Sequence, residues 1–193
     1  MSTNKQIVRD YLSEKGFNDL AIAGIMGNIQ QESNFDTTAT NSSSGAYGLF
    51  QWLGSRKTAL QNYAKKNNSD VSNINTQLDF FWNELNSTES KTLDAMNKKY
   101  LTAGKYAEVF ESTYERSGGS ALKNRKDYAE KIWLENASGV NLDNVQMNPI
   151  TKGNNWGLTW WGDIVKVVFI LLLIVAGVVM GVLSINTTVD EIL

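Results

Sequence analysis

Gly27 to Trp52, GNIQQESNFDTTATNSSSGAYGLFQW, is the stretch on which the rest of the chain turns. An apolar run with helical spacing (Leu20, Ile22, Ile25, Met26, Ile29) ends in Glu32-Ser33. A polar loop follows, and a glycine-aromatic run, Gly45-Ala46-Tyr47-Gly48-Leu49-Phe50-Gln51-Trp52, closes the stretch. A carboxyl at the C-terminal end of a buried helix lies beside the negative pole of the helix dipole and the last free carbonyls. Both favour its neutral, proton-donating form. A carboxyl that keeps its proton near neutrality is what general-acid cleavage of a glycosidic bond requires. Taken alone, a Glu-Ser pair reads as a helix end with a surface carboxylate. The glycine-aromatic run changes that reading, because it turns the Ser/Thr/Asn-rich residues 36–46 from a linker into the wall of a cleft.

Outward from this stretch the pattern is helical. Thr3 and Gln6 have the spacing of a capping box, Ile7, Val8, Tyr11 and Leu12 share one face, and Gly16 is a stop. Asn18 is placed to cap the central helix, which is apolar nearly all round and therefore buried. Ser55 is expected to cap a helix to about Lys66, and Asn67-Asn68-Ser69-Asp70 reads as a turn. Asn73 to Leu85 carries Ile74, Leu78, Phe81, Trp82 and Leu85 on one stripe, the pattern of core packing. Thr88 to about Lys98 and Lys105 to Arg116 continue as helices. Gly118-Gly119 breaks the chain, and Ser120 is expected to cap a last helix to about Asn136 that buries Leu122, Ala129, Ile132 and Trp133. No segment alternates as a strand does, although a short hairpin beside the cleft loop fits the pattern. The expected fold is mainly α.

Composition narrows the chemistry. The chain has neither Cys nor His. This excludes disulfides, thiol nucleophiles, Ser-His-Asp and Cys-His catalysis, and zinc held by His or thiolate. No metal or cofactor is expected. Carboxylates, hydroxyls and lysines remain, which suits a glycosidase. Residues 1–137 hold 16 basic and 16 acidic side chains, so the net charge of −2 arises entirely after them. Such a balance is not a nucleic-acid footprint. The opening MSTNKQIVRDYLSEKG lacks the apolar core of a secretory signal.

The motif ES-x-F followed by GA-x-GL-x-Q resembles the signature of the lysozyme-like superfamily, near goose-type lysozymes and lytic transglycosylases. GNIQQESNF with GAYGLFQW is most similar to the phage tail lysozyme family. Phe110-Glu111-Ser112-Thr113-Tyr114-Glu115-Arg116, followed by Arg125, Tyr128 and Ala129, resembles that family's closing segment, and the resemblance covers about residues 4–137. It implies a peptidoglycan substrate, cleaved at the β-1,4 bond between N-acetylmuramic acid and N-acetylglucosamine. Glu32 would then protonate the leaving oxygen. Ser33 would bond the carboxyl or the sugar, Tyr47, Gln51 and Trp52 would line sugar subsites, and Tyr114 and Glu115 would join them. An ion pair of Glu115 with Arg116 or Arg125 is the structural alternative. Asp36 is the candidate second carboxylate. Goose-type lysozymes carry aspartates near and after the second motif, whereas no Asp or Glu occurs between Ala39 and Gln61 here. Hydrolase and lytic transglycosylase both stay open, since the latter needs one carboxyl.

Beyond this domain (1–137), residues 138–159 read as a linker that contains the only proline, Pro149. Val167 to Ile185 is a run of 19 residues without a charge. As a helix it spans about 29 Å, close to a bilayer core. Trp156, Trp160 and Trp161 precede it as an interfacial belt would. A transmembrane segment is therefore expected over 160–187, with 188–193 as a tail. Gly177 and Gly181 form a G-x-x-x-G through which two such helices could associate. Lys166 before the run and Asp190 and Glu191 after it orient the domain inward by the positive-inside rule. That conflicts with a wall substrate unless insertion comes from outside. The combined expectation is a virion-associated enzyme, at the tail tip or inside the particle, that meets other virion proteins, then the wall, then the cytoplasmic membrane. The rivals are a pore or anchor protein whose domain only binds glycan, and a wall-opening component of a conjugative secretion system.

Overall fold

The computed structural model describes residues 3–139. The chain there is mainly helical. Seven α-helices run α1 Asn4–Glu14, α2 Asp19–Ser33, α3 Gly54–Lys66, α4 Ile74–Leu85, α5 Ser90–Met96, α6 Ala103–Phe110 and α7 Leu122–Ser138, with a π-helical turn, Glu111–Glu115, continuing α6. Extended pairing among the described residues is confined to isolated bridges, Thr40 with Tyr47 and Tyr47 with Trp52, inside the loop of residues 34–53 between α2 and α3, called the cleft loop below after its expected role.

α2 is the axis of the packing. Every residue from Ala21 to Ile29 is buried, and α1, α6 and α7 lie against it. Gly24 and Gly27 make this approach possible. A Cβ on Gly24 would stand 2.5 Å from Tyr106 Cβ and 2.8 Å from the Ala107 nitrogen, and one on Gly27 would stand 2.6 Å from the Arg125 carbonyl. Backbone cannot give way there as a flexible side-chain tip would, so α6 and α7 cross α2 only because side chains are missing. Asn28 then satisfies itself inside the contact, donating to the carbonyls of Gly24 (2.9 Å) and Ala107 (3.1 Å). The second half of the core is aromatic. Phe50, Phe81, Phe110 and Tyr114 meet ring to ring at 4.4–6.0 Å, joining the cleft loop to α4, α6 and the π-helical turn.

The helix ends show where local signals held. Thr3 and Asn18 cap α1 and α2, accepting from Gln6 N (3.3 Å) and Ala21 N (3.0 Å), and Asn73 caps α4. Only half of the capping box forms: Gln6 turns along the helix, where its Nε2 donates to Asp10 (2.7 Å), rather than back to accept from Thr3 N. Two expected caps are corrected. Ser55 lies inside α3, which starts at Gly54 behind Leu53. Ser120 does not cap α7: Ala121, in the left-handed region at φ 53°, precedes the first helical residue, and no side chain caps that end. In place of a cap, the Ser120 carbonyl accepts from Arg125 Nε (3.4 Å). α7 runs to Ser138 and is closed by Gly139 at φ 66°. The expected membrane segment 160–187 with Gly177 and Gly181, and the linker from residue 140 on, lie outside the described residues. Among the described residues no helix is long and apolar enough to cross a membrane.

Candidate active site

Glu32 stands one residue before the end of α2, with its side chain 18 % exposed. Beyond Ser33 the chain passes through two left-handed residues, Asn34 (φ 50°) and Phe35 (φ 63°). For a bulky residue such as Phe35 this is a strained conformation of the kind that collects at functional sites. Burial of the Phe35 ring and a bond from Asn4 Nδ2 to its carbonyl (2.9 Å) hold it there. An open hollow of about 390 Å³, lined by Thr3, Asn4, Lys5, Asn34, Phe35 and Asp36, adjoins this turn.

The cleft loop is built from side-chain-to-backbone bonds. Asp36 Oδ1 accepts from Thr38 N and Oγ1 (both 2.7 Å), which holds its carboxyl below the usual range. Asn41 Oδ1 accepts from Ser43 N and Ser44 N. Tyr47, half-buried, exchanges backbone bonds with Trp52 (3.0 and 2.9 Å). Gln51, at φ 48°, donates its amide to the carbonyls of Ala39 (3.1 Å) and Gly48 (3.0 Å). Ser33 Oγ lies 3.0 Å from the Leu49 carbonyl and 3.2 Å from that of Ile29, so the buried hydroxyl ties the end of α2 to the loop.

Gln77 of α4 is the brace that the sequence reading missed. Fully buried, it accepts from Leu49 N (2.9 Å) and donates to the carbonyls of Thr37 and Val71 (both 2.8 Å). Gly48, at φ 74°, passes so close that a Cβ would lie 2.7 Å from Gln77 Oε1. The signal was there: Gln77 and Glu84 are polar residues adjoining the apolar stripe of α4, and buried polar groups have partners.

Trp52 is placed differently from the sequence expectation. Its ring is 1 % exposed and packs edge-on to Phe50 and Phe80, while Nε1 donates to Glu84 Oε2 (2.9 Å). It offers no face to a sugar. Tyr114 is likewise in the core, its hydroxyl donating to the same oxygen (2.5 Å), and burial pushes its phenol well up. Arg56 of α3 completes this group, donating to Glu84 through Nε (2.8 Å) and Nη2 (2.9 Å) with its guanidinium 4.3 Å from the Tyr114 ring centre.

Next to it lies a second charged group. Arg125 of α7, nearly fully buried, gives Nη2 to Glu32 Oε1 (2.6 Å) and Nη1 to Asn28 Oδ1 (3.0 Å). The helix-end reading of Glu32 took in only its own backbone; the fold adds a guanidinium in direct contact. Glu115 comes from the π-helical turn, and such turns recur at functional sites. Its Oε1 is shut off from solvent and has no hydrogen-bond partner. Burial first, and then the charge of Glu32, push the Glu115 carboxyl well up, against the opposing charges of Arg125 and Arg56. Neither expected arginine pairs with Glu115 by hydrogen bond: Arg116 holds Glu89 (2.7 and 2.9 Å), and Arg125 holds Glu32. The fold therefore brings Glu32, Glu115 and Arg125 together. Asp36, exposed on the loop, turns its carboxyl into its own turn. Among the described residues no group of three or more His, Cys, Asp or Glu side chains is arranged to hold a metal ion.

Comparison with known proteins places the chain among its relatives. The chain is 25 % identical over 182 residues to morphogenesis protein 1 of Bacillus phage B103. The match takes in 85 % of this chain and 49 % of that protein, so the chain spans about half the length of the curated relative it matches. Residues 3–137, which hold every element described above except the last residue of α7, match the phage tail lysozyme family, and the chain belongs to that family.

Proposed function

We propose that this protein cleaves the glycan of bacterial peptidoglycan, at the β-1,4 bond between N-acetylmuramic acid and N-acetylglucosamine, with Glu32 as the proton donor. The observation that carries the reading is the place of Glu32 at the end of the buried α2, where Ser33 ties the helix to the loop and Arg125 meets the Glu32 carboxyl. Glu32 carries a proton to the leaving oxygen, and the carboxylate left behind is held by a guanidinium already in place, so no reorganisation is needed as charge develops. Arg125 is itself anchored by Asn28, inside the Gly24–Gly27 crossing. Tyr47 and Gln51 lie on the partly exposed side of the loop, where a sugar chain can reach them. Family membership supports the substrate class.

Glu32→Gln keeps the shape of the side chain and removes the transferable proton. The loss in wall-clearing activity should be about 10²–10⁴-fold, with the helical circular dichroism unchanged. Mass analysis of the products separates a reducing muramic end, left by hydrolysis, from the 1,6-anhydro end left by a transglycosylase. Activity within a few-fold of the parent protein would move the chemistry away from Glu32. We also propose that the apolar run after Lys166 seats the protein in the cytoplasmic membrane once a virion has delivered it to the wall. The support is the phage family together with a charge-free run of bilayer length. Binding of the full chain to liposomes, lost when residues 160–193 are deleted, is the expected result.

A further inference from the structure

Leu101 is the large apolar side chain that the fold leaves outside. It is 95 % exposed, in the loop between α5 and α6, and among the described residues only Leu53, at 52 %, joins it as an exposed large apolar group. The exposure is built in. The hydroxyl of the buried Tyr106 donates to the Lys98 carbonyl (2.7 Å) and accepts from Tyr100 N (3.4 Å) and Asn18 Nδ2 (3.0 Å). The Tyr100 ring packs edge-on to the Tyr106 ring at 4.9 Å. On the other side of Leu101, Thr102 caps α6 by accepting from Lys105 N (3.1 Å). With the backbone held on both sides, the Leu101 side chain has no core to turn into.

The same loop carries charge that the fold does not neutralise. Lys98 and Lys99, both exposed, enter no ion pair among the described residues, whereas Lys105 pairs with Glu108 (2.6 Å). Residues 91–105 hold four lysines against one acid, Asp94, in a chain of net charge −2. The adjoining ends of α1 and α2 add Lys15 against Glu14 and Asp19. Asn18, through its bond to Tyr106, sets the loop at the start of α2. Glu32 stands at the other end of that helix, about 21 Å along the axis at about 1.5 Å per residue. A single apolar tip beside free lysines offers no concavity to a shaped partner; it fits a fluid, negatively charged surface, where leucine enters the acyl boundary and lysine stems reach the headgroup phosphates.

We propose that residues 97–102 are the face by which the domain rests on an anionic membrane, with Leu101 inserted at the headgroup boundary, Lys98 and Lys99 on the phosphates, and the Glu32 cleft held at the far end of α2. This rests on the membrane reading of the run after Lys166, since one leucine and two lysines orient a protein at a bilayer without anchoring it. A domain set down in this way turns its cleft from the membrane toward the wall.

The chain has no Cys, so Leu101→Cys carries an environment-sensitive nitrobenzoxadiazole label at one site of the full chain. Ser42→Cys, exposed on the cleft loop, carries the label at the other end. The probes are vesicles of phosphatidylcholine, with and without phosphatidylglycerol. With phosphatidylglycerol the label at 101 should shift to the blue and be quenched by spin-labelled acyl chains. On phosphatidylcholine alone it should not, and the label at 42 should stay in water on both. Lys98→Gln with Lys99→Gln should lower the ratio of embedded to aqueous label at 101 about 25-fold, about fivefold for each lysine. A label at 101 that stays in water while the protein sediments with anionic vesicles overturns the proposal. Equal shifts at 42 and 101, or a shift indifferent to the two lysines, also overturn it. Failure of the membrane reading shows up separately, as a chain that sediments with neither vesicle, and it takes this proposal with it.

Discussion

Glu84 and Glu115 belong to one buried charged region and are treated in opposite ways. Glu84 accepts four hydrogen bonds from three side chains, Trp52, Arg56 and Tyr114, which come from the cleft loop, α3 and the π-helical turn. Glu115, next in sequence to one of those donors, has a carboxyl oxygen that accepts none. The difference teaches how a small fold divides its polar groups. A saturated carboxylate works as a joint between elements. An unsatisfied one is costly to the fold and is retained where a reaction uses it.

The sharpest way to break the comparison is to remove the joint. Glu84→Ala leaves the Arg56 guanidinium, the indole N–H and the Tyr114 hydroxyl without their acceptor. The loss of stability should be about 3–5 kcal/mol, toward the lower end because Arg56 is 26 % exposed, and denaturant unfolding followed by tryptophan fluorescence measures it. Gln77→Ala should come next, at about 2–3 kcal/mol, since Leu49 N and the carbonyls of Thr37 and Val71 lose their partner together. Limited proteolysis should then cut within residues 36–48 while the helices survive.

Glu115→Gln should act in the other direction. The carboxyl is raised in the folded protein, so between its unfolded value of about 4.3 and its folded value the native state keeps a proton that the unfolded chain releases. Stability of the parent protein therefore falls as pH rises across that window, and the Gln variant lacks this slope. The variant should gain on the parent above about pH 4.3, by about 1.4 kcal/mol for each unit of upward shift. Melting curves at a series of pH values read it directly, and a constant difference across pH would remove the distinction between the two glutamates. The smallest effect belongs to Asp36→Asn. Its carboxyl is spent on Thr38, so activity should fall far less than the about 100-fold minimum expected for Glu32→Gln. An equal loss in both variants would make Asp36, rather than Glu115, the partner of Glu32.

Much of this protein was determined by the sequence itself. Apolar periodicity marked α2 as central, the caps at Thr3, Asn18 and Asn73 follow from side chains that reach their own backbone, and the absence of Cys and His left carboxylates, hydroxyls and lysines to do the chemistry. Glu32 was legible as a carboxyl at a helix end because that is a local fact. Its partner was not, because Arg125 lies 93 residues away and reaches it only where α7 crosses Gly27. Trp52 was assigned to a sugar by its motif, yet a large ring between Phe50 and Phe80 gains more from burial, and its N–H finds Glu84 inside. The π-helical turn has no signature in its own residues; it persists because packing holds Glu111 and Tyr114 inward. Periodicity tells which face of each helix is buried. Which charges meet on those faces, and which of them goes without a donor, depends on crossings between distant segments, and these only the tertiary structure decides.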